Sequence, residues 1–326
     1  MKKLLFGVFA LATLAACNTT TDSTENITDL GNAKASRKYC PSEEIRSELL
    51  KNDASARVRY AALEDKTEKF IKARKAGRVL ADGTIEIPVV FNVLYRTTAE
   101  NISDARLAEQ IDVLNKDFGA TNNDINKVPS EFSTVAAGDT KIKFRLIKTV
   151  RKSTTVRSWK TNDAMKKASS KGIDATTPTQ YFNIWVVGDM SSILGYATFP
   201  ESAGLWNDGV VLAAPFVGVT GASAPYNLGR TATHEVGHYL NLRHIWGDAT
   251  CGSDLVADTP TQTTANYGTP TYPLYNTCGG VSRSVMFMNY MDYVNDASMV
   301  MFSAGQRDRM QAVVASTGVR AGLRNL

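Results

Sequence analysis

All three histidines of the chain lie within eleven residues, in the stretch HEVGHYLNLRH at 234–244. His234 and His238 are four residues apart, so on a helix their side chains lie on one face, one turn apart. Two neutral imidazole nitrogens in that arrangement can bind one Zn²⁺ at about 2.0–2.1 Å. Glu235, the next residue round the helix, would lie beside the metal and not on it. A carboxylate there suits a base that deprotonates a metal-bound water.

His244 is the third candidate ligand, six residues after His238. It could not reach the same ion if the helix simply continued, so the chain must turn sharply after His238. Such a turn needs a residue that tolerates a positive φ near position 241. Glycine does this at least cost, and asparagine is the usual second choice. Asn241 therefore fits, and the spacing predicts a three-histidine zinc site. The alternative is a set of ordinary histidines on an amphipathic helix.

A second motif, NYMDY, follows at 289–293, with MFSAGQRDRM after it at 301–310. Together with HEVGHYLNLRHIWGD, these stretches resemble the pappalysin (cytophagalysin-like) family of metzincin zinc metalloproteases. The resemblance covers roughly residues 85–316. It implies that Met291 is the methionine of the Met-turn beneath the metal, and that Tyr293 supports the tetrahedral intermediate. For NYMDY taken alone, the alternative is a buried aromatic-rich turn.

The resemblance also implies an α+β fold with a twisted mixed sheet, a backing helix, an active-site helix and a Met-turn. Apolar spacing supplies the elements. A helix that begins near Ser103 places one stripe of apolar side chains on a single face, namely Leu107, Ile111, Leu114 and Phe118. The active-site helix should begin near Thr231. Strands are predicted in the segments IEIPVVFNVLY, IKFRLIK, YFNIWVVGDM, SSILGYATFP and DGVVLAAPFVG.

One of these strands, ILGYATFP at 193–200, has the features of a sheet edge. Its glycine and its closing proline suit an edge better than a sheet centre. In metzincins an edge strand lines the cleft, and an extended peptide could join it by main-chain pairing. The expected partners of the protein are therefore protein or peptide substrates.

These features predict an extracytoplasmic zinc-dependent endopeptidase. His234, His238 and His244 would bind zinc and leave the fourth position for water. Glu235 would take a proton from that water as it attacks the scissile carbonyl, and then deliver the proton to the leaving amine. Zinc and Tyr293 would stabilise the oxyanion. The nearest rival enzymes are other metzincin families.

The alternative from a different class is a surface binding or adhesion lipoprotein on an inactive protease fold. The intact Glu235 argues against it, because a binding module needs no base beside its metal.

The N-terminus predicts export. MKKLLFGVFALATLAAC has two lysines, an apolar run too short to span a bilayer, and small residues before Cys17. LAAC resembles the bacterial lipoprotein signal, in which the cysteine becomes the lipidated first residue. The alternative is an ordinary secretory leader with Cys17 present by chance. We expect residues 1–16 to be the signal peptide, residues 17–39 to be a flexible tether, and the Cys17 lipid to be the only contact with the membrane. The location is then the cell envelope.

Residues 40–84 are charged and favour helix up to Gly77, and they precede the predicted catalytic domain at 85–326. The simplest interpretation of this N-terminal block is a pro-segment. The alternative is an integral N-terminal subdomain. A cut in FIKARKAGRVLADG, at 70–83, would separate the catalytic domain from Cys17 and its lipid.

With Cys17 lipidated, three cysteines remain. The resemblance implies a disulfide between Cys251 and Cys278, across the loop before the Met-turn, and export permits one. Cys40 then has no partner. Some relatives use a pro-segment cysteine as a fourth zinc ligand that keeps the enzyme inactive. The alternative for Cys40 is a free or externally paired thiol.

The same loop offers oxygen atoms for a second metal. Asp254, Asp258 and Thr259 could hold calcium, as the resemblance implies, although two acids in a loop are usually just solvated.

Composition limits the remaining classes. With 43% hydrophobic and 21% charged residues, the chain is typical of globular proteins. Residues 141–171 contain eleven Lys and Arg residues and a single acid, Asp163. With so few aromatic residues among them, we expect a solvated basic face and no nucleic-acid binding. A monomer is expected.

Overall fold

A computed structural model describes residues 39–77 and 83–324, all of which belong to one compact unit. The helices of these ranges are α1 (Ser42–Asn52), α2 (Ala54–Lys75), α3 (Asp104–Phe118), α4 (Ser130–Ser133), α5 (Arg230–Tyr239) and α6 (Ala304–Val314). The strands are β1 (Ile85–Tyr95), β2 (Ile142–Ser153), β3 (Phe182–Val187), β4 (Gly195–Ala197), β5 (Val210–Ala213), β6 (Tyr267–Gly268), β7 (Tyr275–Cys278), β8 (Val281–Ser284) and β9 (Tyr293–Val294). Short 3-10 helices occur at Thr98–Glu100, Ile125–Lys127, Ala164–Lys166, Ala168–Ser170, Pro200–Ser202, Ala214–Phe216, Asp296–Ser298 and Ala321–Leu323.

The main sheet has five strands in the order β2-β1-β3-β5-β4. β2, β1, β3 and β5 pair in parallel, and β4 pairs antiparallel with β5. β3 is buried along its whole length and β1 along all but two residues, which is why both are almost continuously apolar in sequence. The predicted α+β class with a mixed sheet is confirmed.

α3 covers one face of the sheet, as its sequence predicts. Ser103 caps the helix, since its side chain accepts a hydrogen bond from the backbone N–H of Arg106. The apolar stripe is buried in the core and consists of Leu107, Ile111, Leu114 and Phe118. α3 packs against β2 and also contacts α5, so it supports the helix that carries the first two histidines.

The predicted edge strand is also confirmed. β4 is the last strand of the sheet, and only one of its sides pairs with another strand of the described chain. Its other side faces α1, where the backbone N–H of Ala197 donates a hydrogen bond to Oγ of Ser42, 2.9 Å away. The N-terminal block thus occupies the free edge of the sheet.

The N-terminal block contains two helices. α1 ends at Asn52, and Asp53 caps α2 by accepting a hydrogen bond from the backbone N–H of Ser55. α2 packs against α6 and against the turn Pro200–Ser202. Its last residue is Lys75, and Gly77 beyond it has a positive φ of 67°.

The signal peptide, Cys17 and all of the tether except Tyr39 fall outside the described residues. Among the residues that are described, no helix is both long enough and apolar enough to cross a membrane.

Candidate metal centre and active site

α5 presents His234 and His238 on one face, one turn apart. Both side chains are buried, and their ring centroids are 4.8 Å apart. The helix ends immediately afterwards, at Tyr239. The i, i+4 geometry expected from the sequence is therefore built on a short buried helix.

The turn that follows depends on Asn241, which has a φ of +74°. The backbone N–H of Leu242 donates to the carbonyl of Gly237, and that of Asn241 donates to the carbonyl of His238, both at 2.9 Å. This pair of bonds is the Schellman arrangement that ends a helix with a left-handed residue. The turn returns the chain to the metal centre, where Nε2 of His244 lies 3.1 Å from Nε2 of His238.

Each imidazole is oriented by a hydrogen bond at Nδ1, which leaves Nε2 for the metal. Nδ1 of His234 lies 2.7 Å from the carbonyl oxygen of Tyr290, and Nδ1 of His238 lies 2.8 Å from that of Leu242. A carbonyl oxygen can only accept, so in both rings Nδ1 carries the proton and Nε2 offers its lone pair. Nδ1 of His244 is 2.6 Å from a carboxylate oxygen of Asp248. The Nε2 lone pairs of His238 and His244 face each other at 3.1 Å, and they repel unless a cation lies between them. The three rings therefore fit zinc.

Cys40 supplies a fourth ligand atom to this cluster. The thiol sulfur and one nitrogen from each of the three histidines all lie within 4.8 Å of one another. In the described part of the chain, this is the only such group of three or more His, Cys, Asp or Glu residues. Burial raises the pKa of the Cys40 thiol, and the nearby Glu235 raises it further. A bound cation would act in the opposite direction and favour the thiolate.

Glu235 lies beside the cluster, as the motif predicts. Its Oε2 accepts hydrogen bonds from Sγ of Cys40 and from Oγ of Ser42, each at 3.2 Å. β4 lies close by, since a Cβ added at Gly195 would be 3.0 Å from Cγ of Glu235. Gly195 therefore lets the edge strand approach the carboxylate.

The segment NYMDY forms the floor of the site. A Cβ added at Gly237 would overlap the sulfur of Met291, so this methionine packs directly under α5. The loop is fixed by Asn289, whose Oδ1 accepts from the backbone N–H of Met291 at 3.0 Å. Asn289 in turn exchanges two hydrogen bonds with Gln306 of α6.

Tyr293 lies at the rim of the cluster, with its ring centroid 4.9 Å from that of His244. Its hydroxyl donates to the carbonyl of Cys40 at 2.9 Å and accepts from the backbone N–H of the same residue at 3.1 Å. Burial is the main cause that raises the pKa of this phenol. The hydroxyl is thus protonated and engaged by the N-terminal block.

A cavity of about 530 Å³ opens beside Tyr293, between α1 and the chain that follows α5. Burial raises the pKa of Glu43 in its wall to about 7. It also raises the pKa of Asp248 to about 7, although Arg243 and Arg46 act in the other direction.

The loop between α5 and the Met-turn contains the disulfide between Cys251 and Cys278. Asp258 and Asp254 have different hydrogen-bond partners there. Asp258 accepts from Oγ of Ser303 and from the backbone N–H of Gly305, at the start of α6. Asp254 accepts from Oγ1 of Thr259 at 2.8 Å.

Comparisons with known proteins agree with this centre. The family model Peptidase M43, described as pregnancy-associated plasma protein-A, matches residues 168–315. An extracellular metalloprotease of Uncinocarpus reesii is 32% identical over 257 residues, which are 75% of this chain and 82% of the relative. The chain belongs to the peptidase M43 family.

Two solved structures of Tannerella forsythia mirolysin extend the M43 match to the fold. A promirolysin mutant is 37% identical, with a TM-score of 0.80 over 88% of this chain and 97% of its own. Mature mirolysin in complex with a cleaved peptide is 41% identical, with a TM-score of 0.72 over 74% of this chain and 96% of its own. The predicted family and fold are confirmed, and the protein is an extracellular zinc metalloprotease.

Several residues of the site were not predicted from sequence. Asp248 contacts His244, and Ser42 contacts Glu235. The carbonyl of Tyr290 accepts a hydrogen bond from His234. Only Asp248, four residues after His244, has a spacing that could have suggested its role.

Proposed function

We propose that His234, His238 and His244 hold the catalytic zinc and that Glu235 is the general base of peptide-bond hydrolysis. The observation that carries this proposal is the convergence of the three Nε2 atoms, each fixed by a partner at Nδ1, beside a buried carboxylate. When bound, zinc supplies a Lewis acid that polarises a carbonyl and lowers the pKa of water.

The chain's own residues carry the protons and position the peptide. Glu235 accepts a proton from the attacking water and donates it to the leaving amine. The Tyr293 hydroxyl is placed to donate to the oxygen of the scissile carbonyl as negative charge develops there. The free edge of β4 offers the N–H of Ala197 to an extended peptide. In this structure all three groups are already hydrogen-bonded to the N-terminal block. Glu235 and Tyr293 contact Cys40, and the N–H of Ala197 contacts Ser42.

The substrates proposed are proteins and peptides. Mature mirolysin, 41% identical, is described in complex with a cleaved peptide. The unpaired edge of β4 supports the same class here, because main-chain pairing needs a substrate with a peptide backbone.

Residues 40–84 act in this proposal as a pro-segment that Cys40 attaches to the metal. The thiol stands with the three histidines, and a cysteine at the fourth position would exclude water. The mirolysin matches support the boundary at 85. The mature form covers 74% of this chain, which is the share made up by residues 85–326, whereas the proform covers 88%.

Attachment to the membrane through a lipid on Cys17 completes the proposal. α2 continues to Lys75 and β1 begins at Ile85, so the connection between them is the natural place for the activating cut. A cut there lies downstream of both Cys17 and Cys40. It would free the catalytic domain from its inhibitor and from the cell envelope in one step.

Calcium is a further proposal for the loop of Asp254, Asp258 and Thr259. The carboxyl of Asp254 is buried, and burial raises its pKa to about 6 because it disfavours the charged form. A bound cation would favour the charged carboxylate. A melting temperature that rises on addition of calcium and falls with EGTA would support this site. An unchanged melting temperature would contradict it.

Metal analysis tests the proposed zinc centre. Purified protein should contain about one zinc per chain. A chelator such as 1,10-phenanthroline should abolish peptide hydrolysis by the processed enzyme, and added zinc should restore it. His244→Ala should lose most of the metal. Asp112→Ala, an exposed change on α3, should keep it. Full hydrolysis by metal-free protein would contradict the proposal.

A further inference from the structure

β2 is the edge strand at the opposite end of the sheet from β4, and one of its faces is basic. Ile142 and Phe144 of β2 belong to the same core as the apolar stripe of α3. Side chains alternate between the two faces of a strand, so Lys143 and Arg145 lie on the other face. Both are exposed. The face of β2 that is turned away from α3 therefore carries positive charge.

An irregularity in β2 keeps the charge on this face. The register of β2 against β1 shifts after Leu146, where Ile147 is an extra residue. Beyond this point Lys152 pairs with Leu94, which belongs to a second core that contains none of the α3 stripe. Lys148, four residues before Lys152, lies on the same face and is exposed.

The loop after β2 extends the basic face. Nζ of Lys152 donates to the carbonyl of Gly172 at 2.7 Å, and Nζ of Lys171 donates to Oγ1 of Thr155 at 3.0 Å. These contacts hold the segment that contains Lys167 and Lys171 against the end of β2. We call the resulting set of side chains the basic stripe, which consists of Lys143, Arg145, Lys148, Lys152, Lys167 and Lys171.

Acidic side chains neutralise little of the basic stripe. Asp163 pairs with the buried Lys166 at 3.0 Å, so this pair adds no net charge to the surface. Glu86 pairs with Arg145, and Asp174 accepts a hydrogen bond from a backbone N–H at 2.8 Å. The six basic side chains thus outnumber the two acids beside them, and the stripe attracts anions.

Two exposed apolar side chains border the basic stripe. Leu205 and Trp206 follow one another in the turn between β4 and β5, and they are 40% and 47% exposed. Nζ of Lys167 lies 3.9 Å from the ring centroid of Trp206, so the ammonium group and the indole share one surface. The other three tryptophans of the chain are buried, namely Trp159, Trp185 and Trp246.

This combination of groups matches the surface of an anionic bilayer. Lysine ammonium groups attract anionic headgroups, and their apolar stems can lie along hydrocarbon. Tryptophan is enriched at the boundary between headgroups and hydrocarbon, because its ring is apolar and its N–H is polar. Solvation accounts for the lysines alone, whereas a membrane surface accounts for the lysines together with Leu205 and Trp206.

We propose that the basic stripe, together with Leu205 and Trp206, docks on the surface of an anionic lipid bilayer. Docking there differs from the solvated face and the single membrane contact that the sequence predicts. α5 packs on the same side of the sheet as α3, so a bilayer on the other side would not cover the metal centre.

Docking would add a second membrane contact to the lipid proposed at Cys17. The precursor would then have two contacts with the membrane, and the processed domain would keep one. A single electrostatic contact is reversible and screened by salt, so the processed domain could still leave the membrane. This consequence rests on the proposed function, but the docking itself does not.

Vesicle sedimentation tests the docking without hydrolysis. The protein is the chain from Asn18 to Leu326 with Glu235→Ala, which contains every described residue, lacks the lipidation site and does not cleave itself. It should bind mixed vesicles of phosphatidylcholine and phosphatidylglycerol, and added salt should release it. Equal binding to vesicles of phosphatidylcholine alone, or binding that salt does not weaken, would overturn the proposal.

Charge reversal locates the contact on the basic stripe. Lys143→Glu with Lys148→Glu should weaken binding to the mixed vesicles at least about tenfold, since each basic side chain near the surface contributes to the attraction. Lys69→Glu with Lys72→Glu, the same change at exposed positions of α2, should alter binding little. An equal loss in the two double variants would overturn the proposal, because the overall charge and not the stripe would then control binding.

Trp206 reports whether the contact is a bilayer. Its fluorescence should shift to shorter wavelength on binding to the mixed vesicles, because the exposed indole leaves water. Trp206→Phe should remove the shift, since the other tryptophans are already buried. Dextran sulfate, a soluble polyanion, should give no such shift. Binding to vesicles without a shift, or an equal shift with dextran sulfate, would overturn the bilayer and indicate a site for soluble polyanions.

Peptide hydrolysis separates the docking from the proposed function. In the processed enzyme, Lys143→Glu with Lys148→Glu should leave kcat/KM on a soluble peptide unchanged, because both positions lie on the face of the sheet away from α5. A processed wild-type enzyme that hydrolyses no peptide would contradict the proposed function, and the vesicle measurements would still decide whether the basic stripe binds an anionic bilayer.

Discussion

Asn241 connects the two halves of the metal centre. Its φ of +74° ends α5 and directs the chain back so that His244 meets His238. Asparagine suffices at this position, although glycine would adopt the conformation with the least strain. The turn requires only a left-handed backbone conformation, and asparagine tolerates it. The backbone carbonyl of Asn241 is also held, since it accepts from Nε of Arg309 at 2.9 Å.

We predict that Asn241→Gly keeps zinc and activity, and that Asn241→Val loses both. A β-branched residue is strongly disfavoured at positive φ and would cost at least about 1–2 kcal/mol, either in stability or in a displaced His244. Zinc content and thermal melting measure the difference, with Asn241→Gly as the matched control. A valine variant with full zinc and a wild-type melting temperature would show that the turn does not position His244.

We predict that Cys40 determines how long the precursor survives. Its sulfur contacts Glu235 and stands with the zinc ligands, so Cys40→Ala should admit water to the metal and speed maturation. A time course on gels measures the disappearance of the full chain. Lys69→Ala, an exposed change in the same block, is the control. A Cys40→Ala protein that matures at the wild-type rate would show that the cysteine is no latch.

The three histidines that the structure brings together could be selected from the sequence, because they belong to one short motif whose spacing is set by metal geometry. Contacts with the N-terminal block could not be selected in this way. Ser42 and Glu235 are 193 residues apart in sequence, and Arg46 and Glu201 are 155 apart. No local periodicity encodes such contacts, since they arise only when the block docks in the cleft.

At the scale of elements, the N-terminal block lies along the free edge of β4, where Ser42 accepts a hydrogen bond from the backbone N–H of Ala197. The edge strand could be predicted because glycine and proline mark it locally. The division of the block at Asp53 could not, because both helices are rich in charge and α2 lacks a clear apolar stripe. α2 is held largely by polar contacts, such as the 2.6 Å pair between Glu64 and Arg309.

The basic face predicted for residues 141–171 has one exception. Lys166 is buried, and its Nζ lies 3.0 Å from a carboxylate oxygen of Asp163.

The loop between α5 and the Met-turn contains little regular structure, so we expect its disulfide to matter for stability. The bond closes 27 residues between Cys251 and Cys278, for which the chain-entropy estimate is roughly 3–4 kcal/mol. Cys251→Ser should lower the melting temperature and increase autolysis before Met291, as peptide mapping would show. Ser282→Ala, on the adjacent exposed hairpin, is the control. Peptide mapping of the wild type that joins Cys40 to either cysteine would contradict this pairing.

At the scale of the whole molecule, one N-terminal block contacts the metal cluster, the edge strand β4 and α6 at the same time. A single cut between α2 and β1 would release all three contacts. We predict that wild type accumulates as a shorter soluble species that begins between about 72 and 84, and that Glu235→Ala stays full-length and membrane-bound if the cut is autolytic. N-terminal sequencing of both fractions measures this. Active protein that still begins at Cys17 would exclude the release.

The central claim is that Glu235 performs proton transfer beside a zinc held by the three histidines. The most direct measurement compares wild type with Glu235→Ala, both cut by trypsin in the connection before β1 and then freed of trypsin activity. We predict about one zinc per chain in both proteins, and casein hydrolysis in the wild type alone. A Glu235→Ala protein that cleaves casein at the wild-type rate would contradict the mechanism.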